Sequence, residues 1–215
     1  VAAEPSELLA IQQRQDIHWM QYALQLADKA EQAGEIPVGA VLVKDNQVVG
    51  EGWNMSICQH DPSAHAEMLA IRQAASQIKN YRLLDTTLYA TLEPCAMCAG
   101  ALVHSRVKRL VFGAKDAKTG AAGSVLDIVR HPVLNHQLDV MDGPLAQQCA
   151  DKLSEFFRRR RAEQKALKQQ EKQQQLDLLK SDLYKLRRSF PKAEELATLQ
   201  QRSDRMEQQY DEKIQ

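Results

Sequence analysis

A pair of cysteines three residues apart, in Pro94-Cys95-Ala96-Met97-Cys98, places the tightest demand on how this chain can fold. On a helix that spacing sets both sulfurs on one face, where they can grip a single ion. They fall in a first turn, where the positive end of the helix dipole favours thiolate. His65, in His65-Ala66-Glu67, opens the neighbouring helix about thirty residues earlier and offers a third ligand. The fold must therefore bring two helix starts to one place. Taken alone, a cysteine pair can be redox-active or structural, and a lone histidine is usually just packed. The joint pattern argues against both. Three protein ligands also fall short of the closed set of four in a structural zinc site, whereas a catalytic site leaves its fourth position to water. Glu67 stands two residues after His65, close to the metal without being needed as a ligand. A carboxylate there can take a proton from activated water and pass it to a substrate.

The rest of the sequence supplies elements that can hold such a site. Ile17, Met20, Leu24, Ala27 and Ala30 recur at helical spacing between Asp16 and Gly34. Val38 to Val43 and Gln47 to Trp53 read as two strands joined by an Asp45-Asn46 turn, hence a hairpin. Ala64 to Lys79 is helical, Thr86 to Thr91 a strand, Pro94 to His104 a short helix and Lys108 to Gly113 a strand. Gln137 to Met141 is a fifth strand, and a helix runs from Pro144 to about Ala166. Strands alternating with helices predict an α/β fold with helices packed around a mixed sheet.

Bulk properties exclude more than they identify. The 215 residues suffice for one well-buried domain and an appendage, and 44% hydrophobic with 26% charged residues suits a globular chain. No apolar run approaches the ~20 residues that cross a bilayer. The polar start, Val1 to Gln15, does not read as a secretory signal, so a cytoplasmic location is expected. Formal net charge is zero, so any nucleic-acid surface must come from local charge. Cys58 and Cys149 belong to no motif and read as packed thiols; His104, His131 and His136 receive no role, and Trp19 and Trp53 read as core aromatics.

His65-Ala66-Glu67 with Pro94-Cys95-Ala96-Met97-Cys98 resembles the signature of the cytidine-deaminase-like zinc deaminases, which act on flipped nucleobases. Further segments narrow the resemblance to tRNA adenosine deaminases of the TadA type. They include Ile36 to Val43, Gly50 to Asn54, His60 to Glu67, Asn80 to Leu83, Leu88 to Cys95, Val111 to Ser124 and Phe156-Phe157-Arg158. The likeness runs from about residue 16 to 166, and the segment after the fourth strand is its most specific part.

That resemblance implies a three-layer α/β/α sandwich with a central mixed five-stranded sheet. It implies conversion of adenosine to inosine at the wobble position of a tRNA anticodon stem-loop, in a homodimer with one zinc ion per subunit. Carried over residue by residue, His65, Cys95 and Cys98 hold zinc and Glu67 shuttles protons. Asn54 hydrogen-bonds the purine, its amide being both donor and acceptor. Pro37, Val38 and Ala66 line the base pocket. Asp116, Lys118 and Thr119 lie along the flanking nucleotides, with Phe157, Arg158 and Arg160 on the C-terminal helix. Two other readings stay open: a deaminase of a free base, nucleoside or nucleotide, and a zinc-stabilised RNA-binding module. The Asp116 to Ser124 loop speaks against the first, and Glu67 against the second.

Three regions are therefore expected: a polar segment over 1–15, the zinc-dependent deaminase domain over 16–166, and a helical extension over 167–215. Leu176, Leu179, Leu183, Leu186 and Phe190 follow a 3-4-3-4 spacing until Pro191 interrupts it, and Leu196, Leu199, Met206 and Tyr210 resume a similar one. Two amphipathic helices in a hairpin or coiled-coil contact are expected. They would serve as an arm for RNA or for a further partner, or as a polar helix pair of no essential role.

Overall fold

The computed structural model describes residues 5–189 and 193–212. Helix α1 spans Pro5–Gln32, so residues 5–15 are helical too and the helix opens well before Asp16. Its buried stripe is Asp16, Met20, Ala23, Ala27 and Ala30, and Ile17, expected on that stripe, is 42% exposed. A carboxylate heads the stripe because it has partners inside. Arg109 grips Asp16 with both terminal nitrogens at 2.7 and 2.8 Å, and the Tyr89 hydroxyl donates to it at 2.9 Å. Periodicity counts apolar residues and so misses a polar one that is fully paired.

Strands β1 (Gly39–Lys44) and β2 (Gln47–Trp53) form the expected antiparallel hairpin, paired from Gly39↔Trp53 to Lys44↔Gln47 with a register shift between Leu42 and Val43. Asp45 and Asn46 take φ of 50° and 59°, the two left-handed residues of a two-residue turn whose twist matches the strands. Then follow α2 (Ser56–Gln59), α3 (Ala66–Ile78), β3 (Thr87–Leu92), α4 (Ala96–His104), β4 (Arg109–Ala114), β5 (Asp139–Asp142), α5 (Ala146–Ser189) and α6 (Ala193–Glu212). The sheet order is β2-β1-β3-β4-β5. β1 is antiparallel to both neighbours, while β3, β4 and β5 run parallel, so the sheet is mixed and five-stranded.

Alternation along the strands divides the core into two layers. Val41, Val43, Tyr89 and Val111 face Trp19, Met20, Ala23 and Leu26 of α1, with Cys149 of α5 in the same cluster. Ala40, Leu42, Leu88, Ala90, Leu110 and Phe112 face Ala66, Ala70 and Ala74 of α3 and Ala99 and Leu102 of α4. Each buried Leu, Val or Phe contributes about 1.5–3 kcal/mol. Helix α3 approaches β2 backbone to backbone. A Cβ at Gly50 would sit 2.2 Å from the Ala70 carbonyl oxygen, and one at Gly52 2.2 Å from that of Ala66. Those two glycines let the start of α3 rest on the sheet.

The chain divides into two compact units, Val1–Phe157 and Arg158–Gln215. In the second, α5 and α6 run antiparallel. Leu176 and Leu183 line a groove with Leu196, and Leu179 meets Met206 and Tyr210. Lys172 pairs with Asp211, and Tyr210 bonds Gln175. The expected helical hairpin is present, while Phe190 and Pro191 lie outside the described residues. No helix among the described residues is long and apolar enough to cross a membrane.

Burial alone would raise the Asp16 carboxyl, but the Arg109 guanidinium beside it holds it below its ordinary 3.8. A depressed carboxyl adds stability above its unfolded pKa and loses it as pH falls through the folded value. Asp16→Ala should cost about 3 kcal/mol near pH 7, because it strands Arg109. In denaturant titrations across pH, the gap from wild type should narrow only below pH 3.8.

Candidate active site

His65 and Cys95 occupy equivalent places, each the last extended residue before a helix. Their φ and ψ are −78° and 152°, and −72° and 174°, and neither side chain caps the helix it precedes. Both are thereby released toward the space where α3 and α4 begin. His65 Nδ1 lies 3.7 Å from the sulfurs of both Cys95 and Cys98. The three ligand atoms all fall within 4.8 Å of one another. Ligand atoms on a tetrahedral zinc stand about 3.6 Å apart, so this nitrogen and these two sulfurs fit that ion. Cys98 is fully buried and Glu67 is 4% exposed in the first turn of α3.

The electrostatics follow from crowding. Cys95 is brought down to about 3 by the Cys98 thiol and the His65 ring beside it. Cys98 is pushed far up by the Cys95 thiolate and by burial, and His65 is raised by its bond to Cys95. A divalent cation held here replaces the shared protons, since metal ligation needs both thiols ionised. Burial raises the Glu67 carboxyl, which suits it to carry a proton.

Asn54 follows β2 and braces the site from behind. Its Oδ1 accepts the Ala66 N–H at 2.9 Å, and its own N–H donates to the Val38 carbonyl at 3.1 Å. The side chain thus satisfies a backbone donor at the start of α3 that the helix itself leaves open. One residue links Val38, Ala66 and the helix carrying Glu67, and Pro37, Val38 and Ala66 are all buried.

A family model described as the cytidine and deoxycytidylate deaminase zinc-binding region matches residues 13–114. A tRNA-specific adenosine deaminase of Haemophilus influenzae is 61% identical over 151 residues, 70% of this chain and 87% of that protein. One of Bacillus subtilis is 44% identical over 152 residues, 71% of this chain and 94% of that protein. The chain belongs to the tRNA-specific adenosine deaminase family. Among solved structures, one from a study of A-to-I editing by tRNA deaminases at the wobble position is 40% identical. It superposes with a TM-score of 0.61 over 63% of this chain and 99% of its own. The fold is that of the zinc deaminases, as the sequence resemblance implied.

Beside the donors, this family member carries a carboxylate that the motif reasoning left without a role. Glu93 follows directly on β3 and is 2% exposed. Its oxygens accept the backbone N–H groups of Asp116, Ala122 and Ser124, each at 3.0 Å, and the Ser124 hydroxyl. A Cβ at Gly120 would stand 2.5 Å from that carboxylate. The Ala121 N–H donates to the Pro94 carbonyl at 2.8 Å, so the Asp116 to Ser124 loop is bound to the segment that presents Cys95. Burial would raise the Glu93 carboxyl, but Ser124 and the loop N–H groups hold it below its ordinary value. The available signal was a charged residue closing an apolar strand just before Pro94.

The remaining expected residues differ in what they are free to do. Asp116 folds back on its own loop, accepting the Lys118 N–H at 2.8 Å, the Thr119 N–H at 3.2 Å and the Thr119 hydroxyl at 2.6 Å. Its carboxylate is a turn former here, while the Lys118 side chain is exposed. Phe156 is buried and Phe157 is 41% exposed, their rings edge to face at 5.5 Å. Arg158 and Arg160 are exposed and belong to the second unit, where Arg160 pairs with Glu163 at 3.4 Å. Of the two thiols read as packed, Cys149 is buried but Cys58 is exposed, its N–H held by Glu35 at 2.8 Å.

Glu93→Ala should leave three loop N–H groups without their acceptor and cost about 3 kcal/mol. Thermal denaturation reads the loss, and limited proteolysis should cut between Asp116 and Ser124 in the variant well before wild type.

Proposed function

We propose that this chain deaminates adenosine to inosine at the wobble position of a tRNA anticodon, consuming one water and releasing ammonia. His65, Cys95 and Cys98 would hold the zinc ion, and Glu67 is the proton carrier. The observation that carries the reading is the buried Glu67 carboxylate beside a three-donor set. A closed structural site has no use for it. When bound, zinc supplies Lewis-acid activation of water near neutral pH.

The protein's own groups then divide the work. Glu67, raised by burial, accepts a proton from water and delivers it to the purine ring as the new bond to C6 forms. It serves again when the amino group departs, so one carboxyl handles both transfers. Asn54 holds the Ala66 N–H with its amide oxygen and offers its amide nitrogen to the purine as a donor. Pro37, Val38 and Ala66 give the ring an apolar surround. Lys118 and Thr119 supply polar contacts to flanking nucleotides, Asp116 shapes the turn that presents them, and Phe157 offers an exposed ring for stacking.

The ligand is the anticodon stem-loop, in which an unpaired base can be splayed out. The chain works as a homodimer, by analogy with the family resemblance. It acts in the cytoplasm, where tRNA is used. Residues 16–166 carry the catalysis and 167–215 the extension, a boundary inside α5 that lies C-terminal to the Phe157/Arg158 division of the compact units.

The test is incubation with a stem-loop bearing a wobble adenosine, followed by sequencing for inosine. Wild type should form it. Glu67→Ala should lose at least about 100-fold in kcat while metal analysis still finds one zinc per chain. Conversion of free cytidine with the stem-loop untouched would overturn the reading.

A further inference from the structure

The neutral net charge of this chain conceals a segregation. Residues 1–157 carry 13 Lys and Arg against 18 Asp and Glu, a balance of −5, and residues 158–215 carry 15 against 10, a balance of +5. The unit that holds the zinc donors is thus acidic, although the proposed substrate is a polyanion. Attraction to phosphate has to come from local arrays of charge, and the second unit contains one.

Along α5, Arg158, Arg161, Lys165 and Lys168 repeat at spacings of three and four. At 3.6 residues per turn they fall within an arc of about 80° and extend for roughly 15 Å. All four are exposed. The one acidic residue of this stretch, Glu163, lies on the other side of the helix, where it pairs with Arg159 at 3.7 Å and with Arg160 at 3.4 Å. Arg161, Lys165 and Lys168 engage no carboxylate among the described residues.

The same arc continues C-terminally as Leu176, Leu179, Leu183 and Leu186, and the first three of these lie against α6. The pairing of Lys172 with Asp211 marks where the described part of α6 stops. Among the described residues, one face of one helix is therefore apolar where α6 covers it and wholly basic over Arg158 to Lys168. A merely solvated helix would mix both signs on its open face.

We infer that the Arg158, Arg161, Lys165 and Lys168 stripe of α5 binds the sugar-phosphate backbone of the tRNA outside the nucleotide being deaminated. The inference rests on the proposed tRNA function. Four side chains in a row neutralise successive phosphates, releasing counterions, so the contact is sequence-independent and salt-dependent. It raises affinity for the whole tRNA without touching the chemistry.

The experiment compares the full chain with an Arg161→Gln, Lys165→Gln, Lys168→Gln triple variant, since glutamine keeps helix propensity and removes charge. Fluorescence anisotropy is measured with a full-length tRNA and with a short anticodon stem-loop over a salt series. For the full tRNA, affinity should fall about 10- to 100-fold and the slope of log K against log salt by about two to three. Inosine formation at saturating stem-loop should be unchanged, and Arg161→Lys should bind like wild type. Unchanged tRNA affinity and slope in the triple variant would overturn the inference. So would loss of binding only to vesicles of equal phosphatidylcholine and phosphatidylserine, which would assign the stripe to a membrane surface. If wild type binds tRNA through the stripe yet forms no inosine on either RNA, the functional reading fails and the stripe stands.

Discussion

Everything at this site depends on two helices beginning at the same point. The first turn of a helix leaves several N–H groups unpaired and a partial positive charge around them. Here α3 and α4 aim those turns at one small volume, and the residues in the capping positions are metal donors, not caps. The dipoles favour the ionised thiols that ligation needs, and they steady the negative charge of a carboxylate nearby. What the helices lose in capping is made good from outside, at α3 by the oxygen of Asn54. Gly50 and Gly52 are the other half of this constraint. They allow α3 to lie close against β2, and His65, the residue just before α3, meets the sulfurs of Cys95 and Cys98.

A second layer of support is built from buried carboxylates with full sets of partners. Asp16 ties α1 to β4 through Arg109 and to β3 through Tyr89. Glu93 ties the end of β3 to a loop that crosses in front of it. Each is a costly group to bury, and each is tolerated because its oxygens meet donors held in place by the fold. They fix the distance between layers more strictly than alkyl packing does, since a charge without its partner is worse than a cavity.

The sequence displayed the donors and the proton carrier openly, because metal chemistry restricts residue type and spacing together. The hairpin was legible in Asp45-Asn46, and the strands in their β-branched runs. Hidden residues were those whose role depends on partners far away in the chain. Asp16 marked only where the apolar stripe begins, and Ile17 was read into that stripe, whereas Asp16 is buried and Ile17 exposed. Glu93 was visible only as part of a family likeness, and its four donors come from residues 116–124. Asp116 was read toward RNA, whereas its oxygens serve its own turn. Local periodicity cannot see a polar group that is satisfied by tertiary contacts.

Asn54 carries a consequence for how such an enzyme can change over time. In the proposed reading the amide that would present a donor to the base is also the one that anchors the backbone of Ala66 at the head of α3. Selection for a different base edge cannot exchange this residue without loosening the helix that positions Glu67. A lineage drifting toward another nucleobase would first have to acquire a replacement acceptor for that N–H. Base preference would in this way be tied to fold integrity, and shifts in preference should enter through neighbours such as Pro37, whose side chain holds no backbone N–H.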